Sequence, residues 1–109
     1  MVDVTSPTST TRPLTGVRVL DLSRVLSGPH CTRMLADMGA DVIKIEPPEG
    51  DIGRTVAMSP PIKGLSRAFW SLNRNKRSLC LDLKQTAGIE VLHDLVRDAD
   101  VLIHNYRPS

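Results

Sequence analysis

The chain is poor in aromatic residues and cysteines and has no long apolar run. Phe69, Trp70 and Tyr106 are its only phenylalanine, tryptophan and tyrosine, and Cys31 and Cys80 are its only cysteines. The two cysteines lie far apart without the spacing of a metal site, so we predict no bound metal and buried thiols in a reducing cytoplasm. No apolar run is long enough to span a bilayer, so we predict no membrane partner.

The sequence also lacks a large excess of either charge. Its net charge is +2 over 109 residues, which is too small to indicate a nucleic-acid partner by itself. The basic cluster at residues 73–77 has little aromatic interleaving for stacking bases, so we predict solvated charges there and no nucleic acid. Residues 1–13 are rich in Ser, Thr and Pro. We predict a disordered tail at residues 1–12, no secretory signal and a cytoplasmic location.

Three motifs of common enzyme classes are missing. The segment after the first apolar run contains one glycine where the dinucleotide fingerprint needs three, which argues against nicotinamide binding. The chain has no glycine-rich phosphate loop ending in Lys and Ser or Thr, and no Gly-x-Ser-x-Gly elbow. The sequence therefore gives no support to a nucleotide hydrolase or a serine hydrolase of these types.

The first half of the chain has the pattern of a strand, a helix and a second strand. Residues 17–22 and 41–45 are short apolar segments typical of strands. Between them, Pro29 suits the first turn of a helix and Gly39 suits the cap after its end, so we predict a helix over residues 30–38. Its predicted inner face consists of Cys31, Met34, Leu35 and Met38. Such a unit predicts a parallel sheet.

The second half repeats this pattern after a long loop. Residues 46–66 contain four prolines and three glycines, which predict an irregular loop, and residues 67–72 predict one helical turn. Residues 77–83 and 100–104 are predicted strands, separated by a helix over residues 86–97. That helix has four apolar residues at helical spacing on one predicted face: Ile89, Leu92, Leu95 and Val96. The order β-α-β-loop-β-α-β predicts a doubly wound α/β sheet, and an incomplete domain, because the last edge strand has no covering helix.

Four segments leave the carboxyl ends of the predicted strands, where open α/β sheets bind ligands. They are residues 23–29, 46–51, 84–86 and 105–109. The rim that they share carries three cations: Arg24, Lys84 and Arg107. The cations indicate either an anionic ligand, such as a phosphate, or ordinary solvated charges, and the residues alone leave both interpretations open.

Gly28 and Pro29 begin the first predicted helix. Free N–H groups at a helix start can bind an anion or a developing oxyanion. From the residues alone we prefer the simpler interpretation, in which Gly28 makes the turn and Pro29 starts the helix.

Six segments of the chain carry recognisable motifs. They are Pro13–Pro29, Leu35–Pro47, Gly50-Asp51 with Arg54, Asn73–Ser78, Leu81–Lys84 and Ala99–Pro108. Each motif alone is weakly specific. Together, in this order and spacing over residues 13–109, they resemble the start of the class III coenzyme A (CoA) transferases, the family that includes formyl-CoA transferases and α-methylacyl-CoA racemases.

The resemblance implies that residues 13–109 are the N-terminal part of a Rossmann-like CoA-binding domain in a longer, homodimeric protein. It also implies a set of CoA-binding residues. These are Arg24, Val25 and Leu26 beside Gly28 and Pro29 at the CoA and acyl site, Leu81 and Lys84 at the adenosine and phosphate end, and Asn105, Tyr106 and Arg107 along the CoA chain. The catalytic aspartate of the family lies downstream of Ser109, so the resemblance implies that this chain is inactive alone.

The activity implied by the resemblance is transfer of CoA from an acyl-CoA to a carboxylic acid by covalent carboxylate catalysis. Formyl-CoA transferases tend to carry glutamine where this chain has Leu26, so the resemblance favours dicarboxylates or larger acyl groups. Two alternatives stay open at this point. One is a segment of an α-methylacyl-CoA racemase-like isomerase, and the other is a non-catalytic α/β interaction module.

Overall fold

Four parallel strands form one sheet in the computed structural model, which describes residues 11–55 and 65–109. The strands are β1 (Arg18–Asp21), β2 (Asp41–Glu46), β3 (Arg77–Cys80) and β4 (Val101–Ile103). The helices are α1 (Ser27–Asp37), α2 (Arg67–Leu72) and α3 (Thr86–Arg97), and a 3₁₀ turn covers Ile52–Arg54. The predicted elements are therefore present in the predicted order.

The strands lie side by side in the order β3-β2-β1-β4, and every neighbouring pair is parallel. In the central strand β1, Leu20 pairs with Ile43 of β2 and with Leu102 of β4. Residues of α1 and α3 pack against opposite faces of the sheet, so the predicted doubly wound α/β fold is confirmed. The chain order reverses between β1 and β4, which creates a switch point at their carboxyl ends.

Alternating side chains of β1 and β2 form a core on each face of the sheet. On one face, Val19 and Val42 pack with Ala36 of α1. On the other face, Leu20 packs in a cluster that includes Leu92 of α3. Burying a valine or leucine side chain contributes about 1.5–3 kcal/mol. The two cores are therefore a main source of stability for the sheet.

The predicted inner face of α1 is largely wrong. Three of its four residues are exposed: Cys31, Met34 and Met38. Leu35 does pack against the core. The buried positions of the helix are Pro29, Thr32 and Ala36. Thr32 faces inward because its hydroxyl donates to the buried Asp21 carboxylate, which is a contact that an apolar pattern does not reveal.

The end of β3 corrects two further predictions. The strand stops at Cys80, three residues before its predicted end. Leu81 and Leu83 still pack against the core, but they do so from the loop that follows. Cys80 is exposed, although it was predicted to be buried. It lies in an edge strand, where side chains on alternate positions face away from the core.

The helix α3 is amphipathic but only partly covered. Leu92 and Leu95 pack against the sheet, whereas Ile89 and Val96 are exposed. The predicted inner face is therefore confirmed for two residues and wrong for the other two. The physical reason is that the apolar face of this helix is wider than its contact with the sheet.

Some predictions fall on residues outside the described ranges. The predicted tail at residues 1–12 lies outside them except for its last two residues, and so do residues 56–64 of the predicted loop. In residues 11–55 and 65–109, no helix is long and apolar enough to cross a membrane. The same two ranges contain no group of three or more His, Cys, Asp or Glu side chains that could hold a metal ion.

Candidate functional site

At the switch point, a reciprocal pair of hydrogen bonds joins the loops that follow β1 and β4. The Arg24 N–H donates to Asn105 Oδ1 at 2.9 Å, and Asn105 Nδ2 donates to the Arg24 carbonyl at 2.8 Å. The Arg24 guanidinium lies over the Tyr106 ring, with Cζ 5.2 Å from the ring centroid. This cation–π contact orients both side chains. The two loops therefore form one wall that carries a cation and an aromatic ring.

A pocket of about 280 Å³ borders this wall, and we call it the strand-end pocket. Its lining includes Arg24, Leu81, Leu83, Lys84 and Tyr106, together with the acidic residues Glu46, Glu49 and Asp82. The leucines and the Tyr106 ring offer apolar surface, whereas Arg24 and Lys84 offer positive charge. Such a lining suits a ligand that has a flat or apolar part and an anionic part.

A second pocket, of about 580 Å³, shares Arg24 and Tyr106 with the first, and we call it the turn pocket. Its lining is Arg24, Val25, Ile52, Asn105, Tyr106 and Arg107. The structure thus brings together the predicted site residues of three separate segments. They are Arg24 and Val25 after β1, Leu81 and Lys84 after β3, and Asn105, Tyr106 and Arg107 after β4.

The other predicted site residues line neither of these two pockets. Leu26 is 62% exposed just before α1. Gly28 packs so closely on Ser23 that an added Cβ would overlap the serine side chain. Pro29 is buried, and its carbonyl accepts a hydrogen bond from Lys76 Nζ at 3.1 Å. Gly28 and Pro29 therefore pack the start of α1 beneath the loop, and α1 begins at Ser27 rather than at residue 30.

A buried ion pair lies beneath the loop after β1. Asp21 accepts from Lys76 Nζ at 2.9 Å and from Thr32 Oγ1 at 2.6 Å, and it also accepts from the N–H and the hydroxyl of Ser23. Burial alone would raise the pKa of the Asp21 carboxyl, but the hydrogen bonds from Ser23, Thr32 and Lys76 outweigh it and lower the pKa below its ordinary value. A charged Asp21 therefore links β1, α1 and the segment before β3.

A second buried ion pair supports the same loop from β2. Lys44 Nζ lies 2.9 Å from Asp51 Oδ2 and donates to the Ser23 carbonyl at 3.1 Å. Asp51 Oδ1 accepts from the N–H groups of Val25 at 3.2 Å and Gly53 at 2.8 Å. The Lys44 and Asp51 side chains are only 3% and 1% exposed. Burial by itself would raise the pKa of Asp51, but the hydrogen bonds from Lys44 and Gly53 lower it.

A third ion pair fixes the segment that carries Asp51. Arg54 donates to both carboxylate oxygens of Glu46, at 2.7 Å and 2.8 Å, and its guanidinium lies 4.0 Å from the centroid of Phe69. The Asp51 N–H donates to Glu46 Oε2 at 2.8 Å. Burial would raise the pKa of Glu46, but the hydrogen bonds from Arg54 and the Asp51 N–H bring it below its ordinary value. This bidentate pair therefore anchors the loop to the end of β2.

Sequence reasoning missed these buried charges. Asp21 and Lys44 stand inside apolar strands, and this position was the available signal, because a buried charge is too costly without a partner. Their partners, Lys76 and Asp51, lie in irregular segments, and nothing in the local pattern identifies them. The sequence indicated which positions needed partners but not which residues supply them.

Comparison with known proteins defines the class. The model of CoA-transferase family III matches residues 14–109, so the chain belongs to this family. It is 49% identical over 102 residues to a succinate–glutarate CoA-transferase of Agrobacterium fabrum, covering 87% of this chain and 25% of that protein. It is 52% identical over 100 residues to a formyl-CoA:oxalate CoA-transferase of Rhodopseudomonas palustris, covering 91% of this chain and 23% of that protein.

Solved structures agree with this assignment. A CAIB/BAIF family protein from Brucella suis is 44% identical with a TM-score of 0.77, over 87% of this chain and 26% of that chain. A hypothetical protein from Mycobacterium tuberculosis is 35% identical with a TM-score of 0.79, over 90% of this chain and 26% of that chain. The chain therefore spans about a quarter of the length of the relatives that it matches, and it shares the fold of that part.

Proposed function

We propose that the chain is the N-terminal, CoA-binding part of an acyl-CoA:carboxylate CoA-transferase. One observation carries the proposal: Arg24 and Tyr106, joined at the switch point, line both the strand-end pocket and the turn pocket. In open α/β sheets this is the position where ligands bind. Family membership supports CoA as the ligand, because the compared relatives are named as CoA-transferases. Those names also favour transfer over racemisation.

In this proposal, the two pockets hold different parts of one CoA molecule. The strand-end pocket binds the adenosine and phosphate end, with Leu81 against the base and Lys84 near the phosphates. Arg24 stands between the pockets and pairs with phosphate oxygens, which a planar guanidinium can bind with two hydrogen bonds. The turn pocket takes the thiol arm, along Asn105 and Arg107. Gly28 and Pro29 act indirectly, by packing the loop that carries Arg24.

For the acyl group, we propose a dicarboxylate or another acyl group larger than formyl. Overall identity does not separate these classes, because the succinate–glutarate relative at 49% and the formyl-CoA:oxalate relative at 52% are similarly close. The proposal therefore depends on Leu26, which is exposed beside the turn pocket residue Val25. An apolar side chain at this position favours the methylene groups of a longer acid over formate.

The chemical step is proposed to need more than these residues. The described residues bind and orient CoA. A carboxylate beyond residue 109 attacks the thioester carbonyl, the C–S bond breaks, the CoA thiolate leaves, and an acyl-enzyme anhydride forms. On this view the chain alone binds CoA without transferring it. We propose a homodimeric protein in the cytoplasm on the same ground of family resemblance.

Calorimetric titration of the purified chain with CoA tests the proposal. We expect saturable binding, weakened roughly tenfold or more in Arg24→Ala, because charge-assisted hydrogen bonds are among the stronger polar contacts. The matched control is Arg97→Ala, which removes the same charge from an exposed pair with Asp94 on α3. The control should bind CoA as the unchanged chain does.

Two results would contradict the proposal. Equal weakening by Arg24→Ala and Arg97→Ala would mean that only net charge matters and that the switch point is not the site. No binding by a chain that unfolds cooperatively on heating would mean that this part of the family fold does not bind CoA alone.

A further inference from the structure

In the turn after β1, consecutive backbone N–H and C=O groups have hydrogen bonds to side chains. Lys44 Nζ binds the Ser23 carbonyl, Asn105 binds both the N–H and the carbonyl of Arg24, and Asp51 binds the Val25 N–H. Three elements from different parts of the chain therefore converge on three residues. Such complete pairing of a surface turn leaves its backbone little freedom.

The turn needs this support because its conformation is unfavourable. Val25 has a φ of 73°, in the left-handed region that β-branched residues rarely adopt. Strained residues of this kind persist only when the surroundings determine them, and they concentrate at functional sites. Val25 directly follows Arg24 and also lines the turn pocket. The direction of the Arg24 side chain therefore depends on whatever keeps Val25 in this conformation.

We infer that Asp51 is the positioning residue that holds Val25 in its left-handed conformation and thereby directs Arg24 toward Tyr106 and the two pockets. Asp51 is 2% exposed, and one of its carboxylate oxygens accepts hydrogen bonds from the N–H groups of both Val25 and Gly53. Its other oxygen is fixed by Lys44. Among the described residues, Asp51 makes no hydrogen bond or ion pair with Arg24. Its carboxylate binds Val25, Gly53 and Lys44, so it acts on Arg24 through the backbone of Val25.

The residues around Asp51 are built for this role. Its backbone N–H donates to Glu46, and Arg54 fixes the Glu46 carboxylate in turn, so the backbone of Asp51 cannot shift without breaking this hydrogen bond. Gly53 lies so close that a Cβ would come within 3.2 Å of Asp51 Oδ1 and 3.6 Å of the Val25 carbonyl. A residue with a side chain would crowd the Asp51 carboxylate and would be in ordinary contact with the Val25 carbonyl. The sequence Asp51-Ile-Gly53 therefore fits the turn as one unit.

The effect on CoA rests on the proposed function, whereas the effect on the Val25 backbone does not. Two double variants separate ion pairing from positioning: Lys44→Met with Asp51→Asn, and Lys44→Met with Asp51→Ala. Each removes one positive and one negative charge, so both keep the net charge, and neither leaves Lys44 unpaired. The first keeps an oxygen acceptor for Val25 and Gly53, whereas the second removes it.

Amide hydrogen exchange of the 109-residue chain is the first measurement. We expect the Val25 and Gly53 amides to exchange at least tenfold faster in the Asp51→Ala double variant than in the Asp51→Asn double variant. The amide of Ile43, in the ladder between β1 and β2, should keep the same protection in both, because the pairing of these strands is unchanged. Titration with CoA is the second measurement, with affinity roughly tenfold lower for the Asp51→Ala double variant.

The outcomes separate this inference from the proposed function. Equal exchange at Val25 and Gly53 in the two double variants would overturn the positioning role. A loss of protection at Ile43 as large as that at Val25 would overturn it too, since Asp51 would then support the fold generally. If the unchanged chain itself does not bind CoA, the proposed function fails. The exchange rates at Val25 and Gly53 still decide the role of Asp51.

Discussion

Two parts of the molecule are stabilised by different kinds of contact: the first half, which is the part around β1 and β2, and the second half, which is the part around α3 and β4. Around β1 and β2, buried ion pairs of Asp21 with Lys76 and of Lys44 with Asp51 support the loop that carries the candidate site. Around α3 and β4, no residue of either element is fully buried. Val101 and Leu102 of β4 are 39% and 43% exposed.

This difference indicates where the chain is rigid before any ligand binds. In the first half, directional hydrogen bonds within a low-dielectric interior specify one conformation of the loop. In the second half, partly exposed apolar contacts contribute less free energy, since the hydrophobic effect scales with the area removed from water. Asn105 bridges the halves, because it follows β4 and binds the backbone of Arg24 after β1. The wall of the site therefore combines the firmly held loop after β1 with the less firmly held loop after β4.

The largest expected effect comes from breaking the buried pair in the first half. Asp21→Ala leaves Lys76 Nζ without its counter-charge at a side chain that is 2% exposed. Loss of one partner from a buried pair typically destabilises a protein by roughly 3–5 kcal/mol. Urea unfolding followed by circular dichroism would measure the change. Arg97→Ala, which breaks an exposed pair on α3, serves as the control and should leave the free energy of unfolding nearly unchanged. Similar effects of the two variants would remove the contrast between the halves.

A smaller effect is expected from close packing in the second half. An added Cβ at Gly88 of α3 would overlap the backbone carbonyl of Asp82, which is one of the residues lining the strand-end pocket. Gly88→Ala should therefore destabilise the chain by roughly 1–3 kcal/mol through overpacking. Urea unfolding of Gly88→Ala beside the exposed-site variant Thr86→Ala would measure it. An increase of about 1 kcal/mol in the free energy of unfolding is what helix propensity alone predicts for Gly88→Ala. Such an increase would show that α3 moves away from the Asp82 carbonyl without cost.

The smallest expected effect is on the pH dependence of the free energy of unfolding, and it comes from carboxyl groups in the first half. The carboxyls of Asp21, Glu46 and Asp51 have pKa values lowered from ordinary values of 3.8, 4.5 and 3.8. Groups with a lowered folded pKa stabilise the fold above the unfolded pKa, and this contribution is lost as pH falls through the folded pKa. The free energy of unfolding should therefore stay level from neutral pH to just above these ordinary values and then fall.

Urea unfolding at a series of pH values would measure this fall. The double variant Lys44→Met with Asp51→Asn lacks one of the three carboxyls and should show a shallower decline below the ordinary pKa of Asp51. An equally steep decline in this double variant would mean that the Asp51 carboxyl does not contribute to acid unfolding.

Particular residues show how far the sequence could predict the structure. Pro29 and Gly39 marked the helix between β1 and β2 to within a few residues, because turn and cap preferences are local. The inward position of Thr32 could not be read, since it depends on a hydrogen bond to Asp21 eleven positions earlier in the chain. The predicted rim residues Arg24 and Lys84 do line one pocket, because the carboxyl ends of parallel strands lie at the same edge of the sheet.

The sequence by itself determined the order of strands and helices, the parallel doubly wound sheet and the edge at which the loops gather. These features follow from hydrophobic periodicity and from the geometry of strand connections, which are properties of neighbouring residues. Only the tertiary structure decided that Asn105 binds Arg24 and that Asp51 binds Val25. Those hydrogen bonds join residues 81 and 26 positions apart. They depend on distances of a few ångströms and on burial, which exist only once the chain has folded.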